Sequence, residues 1–160
     1  METVYLETTI ISYLVSEPSR DLIVAAHQQI TREWWTHRRS LFSCSVSQVV
    51  VNEVSQGAAE HVARRVAVVK DLPKLPALVE AETLTLRLLQ SGALPAVAAA
   101  DAAHVAIATT AGMDYLLTWN CRHLANGQIL KKIAEVCSGA GYRLPEVCTP
   151  EELMGENANV

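Results

Sequence analysis

The stretch that most constrains the fold is residues 99–120, because its hydrophobic pattern changes period halfway along. Its first half is almost wholly small and apolar but contains one carboxylate, Asp101, and one imidazole, His104. A glycine then supplies a helix stop, and a short apolar run at 115–119 leads to Asn120. The pattern predicts a buried helix, a glycine C-cap and a buried strand that ends at an amide. An acid in an alanine-rich helix is costly unless something pairs with it, so Asp101 is the first indication of a site.

Strand patterns alternate with helix patterns along the whole chain. Short β-branched or apolar runs predict strands at 3–6, 41–44, 73–79, 115–119 and 142–148. The alternation predicts an α/β fold with a mostly parallel sheet. Because Pro76 has no N–H, the third of these strands is expected at an edge of the sheet. A chain of 160 residues is expected to form one domain, 1–160, with its last six residues frayed.

Two of the predicted helices have clear start signals. The second helix is expected to begin after Ser19 or Asp21 and to bury a face that repeats every four residues, made of Leu22, Ala26, Ile30 and Trp34. The helix that contains Glu53 is expected to begin after Ser45 or Ser47. Both helices would then pack an apolar face on the sheet.

Charge and cysteine content narrow the class of protein. The net charge is −4 and the charges form no block, which argues against a passive electrostatic binder of nucleic acid but not against an enzyme that meets phosphate through a metal ion. No signal peptide is recognised and no uncharged run of about 18 residues is present, so we expect a cytoplasmic protein without a membrane segment. The cysteines follow no zinc spacing and are expected to be free thiols, at Cys44, Cys121, Cys137 and Cys148.

Four oxygen-bearing side chains are predicted to meet at one end of the sheet. Glu7 follows the first strand, and Asn120 ends the fourth. Glu53 and Asp101 belong to helices at the same end. Parallel sheets bind ligands beyond the carboxyl ends of their strands, where the strand order reverses. We therefore expect these four positions to converge.

Such a set points to a divalent cation. Three carboxylates and an amide without a basic partner do not share a buried crevice at neutral pH unless they are protonated or bridged by a cation. Hard oxygen ligands suit Mg²⁺ or Mn²⁺, which keep several waters and meet substrate phosphates. A metal ion there activates water and stabilises charge on a phosphodiester.

Each residue also has an ordinary structural interpretation. Asp101 would serve as a helix N-cap, and Glu7 as a solvated side chain at a strand end. Glu53 would lie on the wet flank of its helix, and Asn120 would form a turn. His104 fits a hydrogen-bonded core histidine better than a ligand.

Two further polar positions carry weaker signals. The tripeptide Cys121–Arg122–His123 resembles a ligand pair, but this spacing alone is weak. Asp114 is interpreted as the start of a strand. Neither position is assigned a functional role from the sequence.

Four segments, taken in order, resemble the PIN-domain family. Tyr5 to Leu14, YLETTIISYL, resembles the family's opening strand and first acid. Glu53 after SVSQVVVN matches the second acid, and Asp101 in ADAAHVAIA matches the third. TWN at 118–120 occupies the place of the family's Thr-x-Asp signature. The likeness covers roughly residues 3–149.

The resemblance implies a metal-dependent ribonuclease similar to VapC-like toxins of toxin–antitoxin pairs. It implies a five-stranded parallel sheet in the order 3-2-1-4-5 with helices on both faces. It also implies an RNA substrate, a small antitoxin protein as partner and a homodimer. The implied Mg²⁺ or Mn²⁺ ligands and catalytic residues are Glu7, Glu53, Asp101 and Asn120, with Thr8 and Thr118 in support.

Two departures from the family pattern favour an alternative. The first acid is Glu7 where most of the family has Asp, and the fourth position is Asn120 instead of Asp. The site then has one charge fewer. The alternative is a catalytically impaired PIN-like domain that binds RNA or a protein.

Overall fold

The computed structural model describes residues 1–155, so the expectation for the last six residues falls, apart from Gly155, outside the described residues. One to four helices separate each strand from the next along the chain. In order they are β1 (Thr3–Leu6), α1 (Thr8–Val15), α2 (Leu22–His37), β2 (Ser43–Ser45), α3 (Gln48–Val54), α4 (Ala59–Val69), α5 (Val79–Gln90), α6 (Ala99–Thr110), β3 (Tyr115–Leu117), α7 (Gly127–Gly139) and β4 (Glu146–Cys148). Single 3₁₀ turns precede β2 and α6, at Arg39–Leu41 and Ala96–Ala98.

All strands run parallel, in the order β2-β1-β3-β4. Consecutive residues of β1 point to opposite faces of the sheet, and Val4, Tyr5 and Leu6 are all fully buried. Leu116 and Leu117 of β3 are buried in the same way. Both faces of the sheet are therefore covered, as a parallel sheet requires. The α/β class and the parallel sheet are confirmed.

The predicted number of strands is wrong: the sheet formed by residues 1–155 has four strands, not five. The segment predicted as a strand at 73–79 makes only one isolated parallel bridge, from Lys74 to Val46 beside β2. Pro73 and Pro76 both lack an N–H, so a hydrogen-bonded ladder cannot extend past the two residues between them. The remaining strands keep the relative order expected of them.

The buried face predicted for helix α2 differs from the one observed. Asp21 caps it, as one of the two expected alternatives, and accepts hydrogen bonds from the backbone of Ile23 and Val24. Of the four residues predicted to face the core, Trp34 is buried and Ile30 packs against the core half-buried, whereas Ala26 is exposed and Leu22 is 86% exposed. The buried side of α2 instead includes polar residues that are satisfied by hydrogen bonds, such as Thr31, which accepts from Trp119 Nε1 at 2.7 Å.

Helix α6 lies in the core as its composition predicts. Most of its residues are buried, including His104, and it packs chiefly against α5. Gly112 follows the helix with φ of +67°, a conformation that glycine adopts without strain. The expected C-cap glycine is thus confirmed, and β3 begins shortly after it.

Within residues 1–155, no helix has both the length and the apolar character needed to cross a bilayer.

Candidate metal centre

Glu7 joins β1 to α1 and is the N-cap of that helix. The residue is only 4% exposed. The Oε2 atom accepts three hydrogen bonds, from Thr9 N at 3.1 Å, Thr9 Oγ1 at 2.5 Å and Thr118 Oγ1 at 2.8 Å. The Oε1 atom accepts none from residues 1–155, and His104 Nε2 lies 3.9 Å from it. One oxygen of this buried carboxylate is therefore fixed and the other is left for a further partner.

Glu53 approaches the same place from α3. Its Oε1 atom accepts hydrogen bonds from Thr8 Oγ1 at 2.7 Å and from His104 Nε2 at 2.6 Å. Burial raises the pKa of Glu53, but the hydrogen bond and charge of His104 and the hydrogen bond from Thr8 outweigh burial and hold the pKa below its ordinary value. Glu53 is therefore ionised at neutral pH, and its side chain keeps 33% of its surface exposed.

His104 lies between these carboxylates and the core. It is fully buried, and both ring nitrogens have hydrogen-bond partners, which agrees with a core histidine. Nε2 contacts Glu53, and Nδ1 lies 2.7 Å from the hydroxyl of Tyr5. That hydroxyl lies 2.7 Å from Ser47 Oγ at the start of α3. Burial raises the pKa of Tyr5, and the negative charges of Glu7 and Glu53 raise it further, while the hydrogen bond with Ser47 lowers it. The net pKa is raised, so the phenol stays neutral.

These contacts create a compact group of possible metal ligands. One ligand atom from each of Glu7, Glu53 and His104 lies within 4.8 Å of the other two. Among residues 1–155, no lysine or arginine forms an ion pair with Glu7 or Glu53. The donor set fits a divalent cation, because it combines two carboxylates with an imidazole and leaves carboxylate oxygens unpaired.

Asp101 and Asn120 form a second group with His123. Asp101 lies in the first turn of α6, where its Oδ1 accepts from Asn120 Nδ2 at 3.0 Å and its Oδ2 lies 2.9 Å from His123 Nδ1. Asn120 Oδ1 accepts from the backbone N–H of His123 at 3.0 Å. The predicted set of four is therefore arranged as two pairs, with Asp101 outside the group of ligand atoms within 4.8 Å.

The two groups adjoin through the end of β3. Thr118 Oγ1 donates to Glu7 and accepts from the backbone N–H of Asn120 at 2.9 Å. Asp101 and His104 are three residues apart on α6, a spacing that places both on one side of the helix. Thr8 and Thr118, the predicted supporting residues, each donate a hydrogen bond to one carboxylate of the metal-ligand group.

Sequence reasoning gave no functional place to His104 or His123. The three-residue spacing from Asp101 to His104 was a usable signal, because it puts an imidazole beside an acid on a helix directed at the sheet's carboxyl end. His123 offered no comparable signal: its contact with Asp101 joins the turn after β3 to the start of α6, and no local pattern encodes it.

Comparison with protein-family models and with curated proteins finds no match for this chain.

Proposed function

We propose that this protein is a metal-dependent endoribonuclease that hydrolyses RNA phosphodiester bonds with Mg²⁺ or Mn²⁺. The observation that carries the proposal is the group of Glu7, Glu53 and His104 beyond the carboxyl ends of the central strands. Two carboxylates at this spacing, without a lysine or arginine partner among the described residues, attract a divalent cation. The place also matches the ligand-binding edge of open parallel sheets.

The residues divide into holding and orienting roles. Glu7 and Glu53 hold the cation, and a bound divalent ion supplies an activated water and charge stabilisation at the phosphodiester. Thr118 orients Glu7, and Thr8 orients Glu53. Asp101 adds a further carboxylate at the edge of the site.

Asn120 orients Asp101 through its amide nitrogen at 3.0 Å. The resemblance to PIN domains supports RNA as the substrate. It extends the proposal to a toxin role in which a small antitoxin protein blocks the site, and to a homodimer. Arrest of cell growth on expression, relieved by co-expression of the product of a neighbouring small reading frame, is the expected behaviour of such a toxin.

The direct test is RNA cleavage by the purified chain with Mg²⁺, with Mn²⁺ and with EDTA. Cleavage is expected only with metal, and Glu7→Gln and Asp101→Asn are each expected to reduce it by about 100-fold or more. Asp114→Asn is the matched control, because Asp114 is an exposed carboxylate immediately before β3, at the opposite end of the sheet. Cleavage that survives both EDTA and the two site substitutions contradicts the proposal.

A specific contact favours the alternative of an impaired PIN-like binding module. The amide of Asn120 is engaged on both sides, with its nitrogen on Asp101 and its oxygen on the backbone of His123. This amide acts as a brace between protein groups in place of the acid expected there. Binding of RNA or a protein partner by wild type, without cleavage in either metal, is the result that selects this alternative.

A further inference from the structure

We propose that His104 is a nitrogen ligand of this metal centre, and that the centre therefore selects first-row transition ions over Mg²⁺. The inference rests on the site of the proposed function and deepens it by naming the class of cation. Two features of the site support it: the unpaired oxygen of Glu7, and the hydroxyl chain behind His104, which consists of the Tyr5 and Ser47 hydroxyls.

The unpaired oxygen of Glu7 points to a cation next to His104. Glu7 is only 4% exposed, and its Oε2 accepts three hydrogen bonds. Its Oε1 accepts none within the described part of the chain and lies 3.9 Å from His104 Nε2. On an octahedral ion with bonds of about 2.1 Å, neighbouring ligand atoms lie about 3.0 Å apart and opposite ones about 4.2 Å apart. The 3.9 Å between these two atoms comes within ligand spacing of one ion after a small side-chain shift, and a buried carboxylate oxygen requires a positive partner.

The hydroxyl chain lets His104 present a lone pair to that ion. Binding through Nε2 requires the ring proton on Nδ1. Tyr5 Oη lies 2.7 Å from Nδ1 and can accept this proton's hydrogen bond while donating its own to Ser47 Oγ, also at 2.7 Å. In the other tautomer the phenol donates to Nδ1, and Nε2–H donates to Glu53 Oε1. The ring therefore changes tautomer without changing its place, whereas Glu53 Oε1, 2.6 Å from Nε2, gives up its hydrogen bond and moves away to admit the ion.

A nitrogen ligand alters the preference of the centre. Mg²⁺ favours oxygen ligands in near-ideal octahedral geometry, whereas imidazole binds first-row transition ions more strongly. Two carboxylates and one imidazole form a mixed set, so Mn²⁺ is expected to bind more tightly than Mg²⁺. The partner of His104 Nδ1 matters too, because such hydrogen bonds orient a ligating histidine and tune its basicity.

The test uses the full chain with Mn²⁺ alone as the probe. Pulsed electron paramagnetic resonance of the bound ion is expected to show coupling to an imidazole nitrogen. His104→Gln is expected to remove that coupling and to reduce the preference for Mn²⁺ over Mg²⁺ by about tenfold. His123→Gln is the matched control, because His123 also contacts a carboxylate but belongs to the second group, and the coupling should persist.

Tyr5→Phe provides a second variant that keeps the histidine in place. It removes the hydrogen-bond partner of Nδ1, so the preference for Mn²⁺ over Mg²⁺ is expected to fall, but by no more than the roughly tenfold loss expected of His104→Gln. Absence of Mn²⁺ binding, bound Mn²⁺ without nitrogen coupling, or coupling lost in His123→Gln instead of His104→Gln overturns the inference.

Failure of the inference is distinguishable from failure of the proposed function. RNA cleavage with Mg²⁺ in a protein whose bound Mn²⁺ shows no nitrogen coupling rejects only the ligand role of His104. Nitrogen coupling in a protein that cleaves RNA with neither metal rejects only the nuclease.

Discussion

The two ends of the sheet hold similar carboxylates in different surroundings. At the amino end, Asp114 Oδ2 accepts from Thr3 N at 2.8 Å and Thr3 Oγ1 at 2.9 Å, and the Asp114 N–H returns a bond to Thr3 Oγ1 at 2.9 Å. At the carboxyl end, Glu7 also accepts from a backbone N–H and from hydroxyl groups. Asp114 is exposed and therefore open to solvent, whereas the other oxygen of Glu7 faces His104.

The contrast shows that hydrogen bonds alone do not make a site. Thr3 lowers the pKa of Asp114 through its backbone N–H and then its hydroxyl, and this ionised carboxylate simply links the starts of β1 and β3. The pKa of Glu53 is lowered against the opposing effect of burial, chiefly through His104. Burial and a neighbouring carboxylate are what distinguish Glu7 and Glu53 from Asp114, and on them the proposal of a cation site at the carboxyl end rests.

The largest expected effect is stabilisation by metal at the carboxyl end only. At a Mn²⁺ concentration of about 100 times Kd, mass action stabilises wild type by about 2.7 kcal/mol, or roughly 5–11 °C in Tm for a domain of this size. Glu7→Gln should lose most of this rise, because it removes a charged ligand. Asp114→Asn should keep it. Thermal unfolding of the three proteins with and without Mn²⁺ measures the effect, and an equal rise in all three contradicts a site at Glu7.

A smaller effect of opposite sign is expected without metal. Glu7→Gln should stabilise the chelated protein by about 1 kcal/mol, or roughly 2–4 °C in Tm, because it removes one of two neighbouring negative charges. The glutamine oxygen still accepts from Thr9 and Thr118, so the N-cap is preserved. Urea unfolding in EDTA provides the measurement. Glu7→Ala is the control and should destabilise, since it leaves the buried Thr118 hydroxyl without its acceptor. A destabilised Glu7→Gln means that the charge of Glu7 is already compensated.

Local signals in the sequence predicted most of the frame that carries these sites. The pattern TVYL gives β1 at the residues expected, and Ser47, one of the two expected caps, starts α3. The placement of Glu7 and Asn120 after β1 and β3 follows directly from those strands. Such features depend on neighbours in sequence, which a single chain displays.

Features that depend on distant partners were not predictable in the same way. The apolar period of α2 does not reveal that Leu22 lies beyond the core, because burial is decided by the elements packed around the helix. The second group of candidate residues includes a contact between Asp101 and His123, which lie 22 positions apart in the sequence. The loss of the strand at 73–79 reflects two prolines acting together.

The smallest expected effect lies at the amino end and depends on pH. The folded pKa of Asp114 is depressed below its ordinary value of 3.8, so its stabilising contribution is fully present above that value and is lost as pH falls through the folded pKa. Asp114→Asn should therefore be less stable than wild type at neutral pH, and the gap should close in strong acid. Because Asp114 is exposed, salt should shrink the gap at neutral pH, and the gap should be smaller than the gain from Glu7→Gln.

Thr3→Val removes the hydroxyl but keeps the backbone donor, so it should give an intermediate loss of stability at neutral pH. Urea unfolding of the three proteins at neutral and strongly acidic pH checks both trends. A gap that stays constant across this range shows that Asp114 acts through its shape and not through its charge.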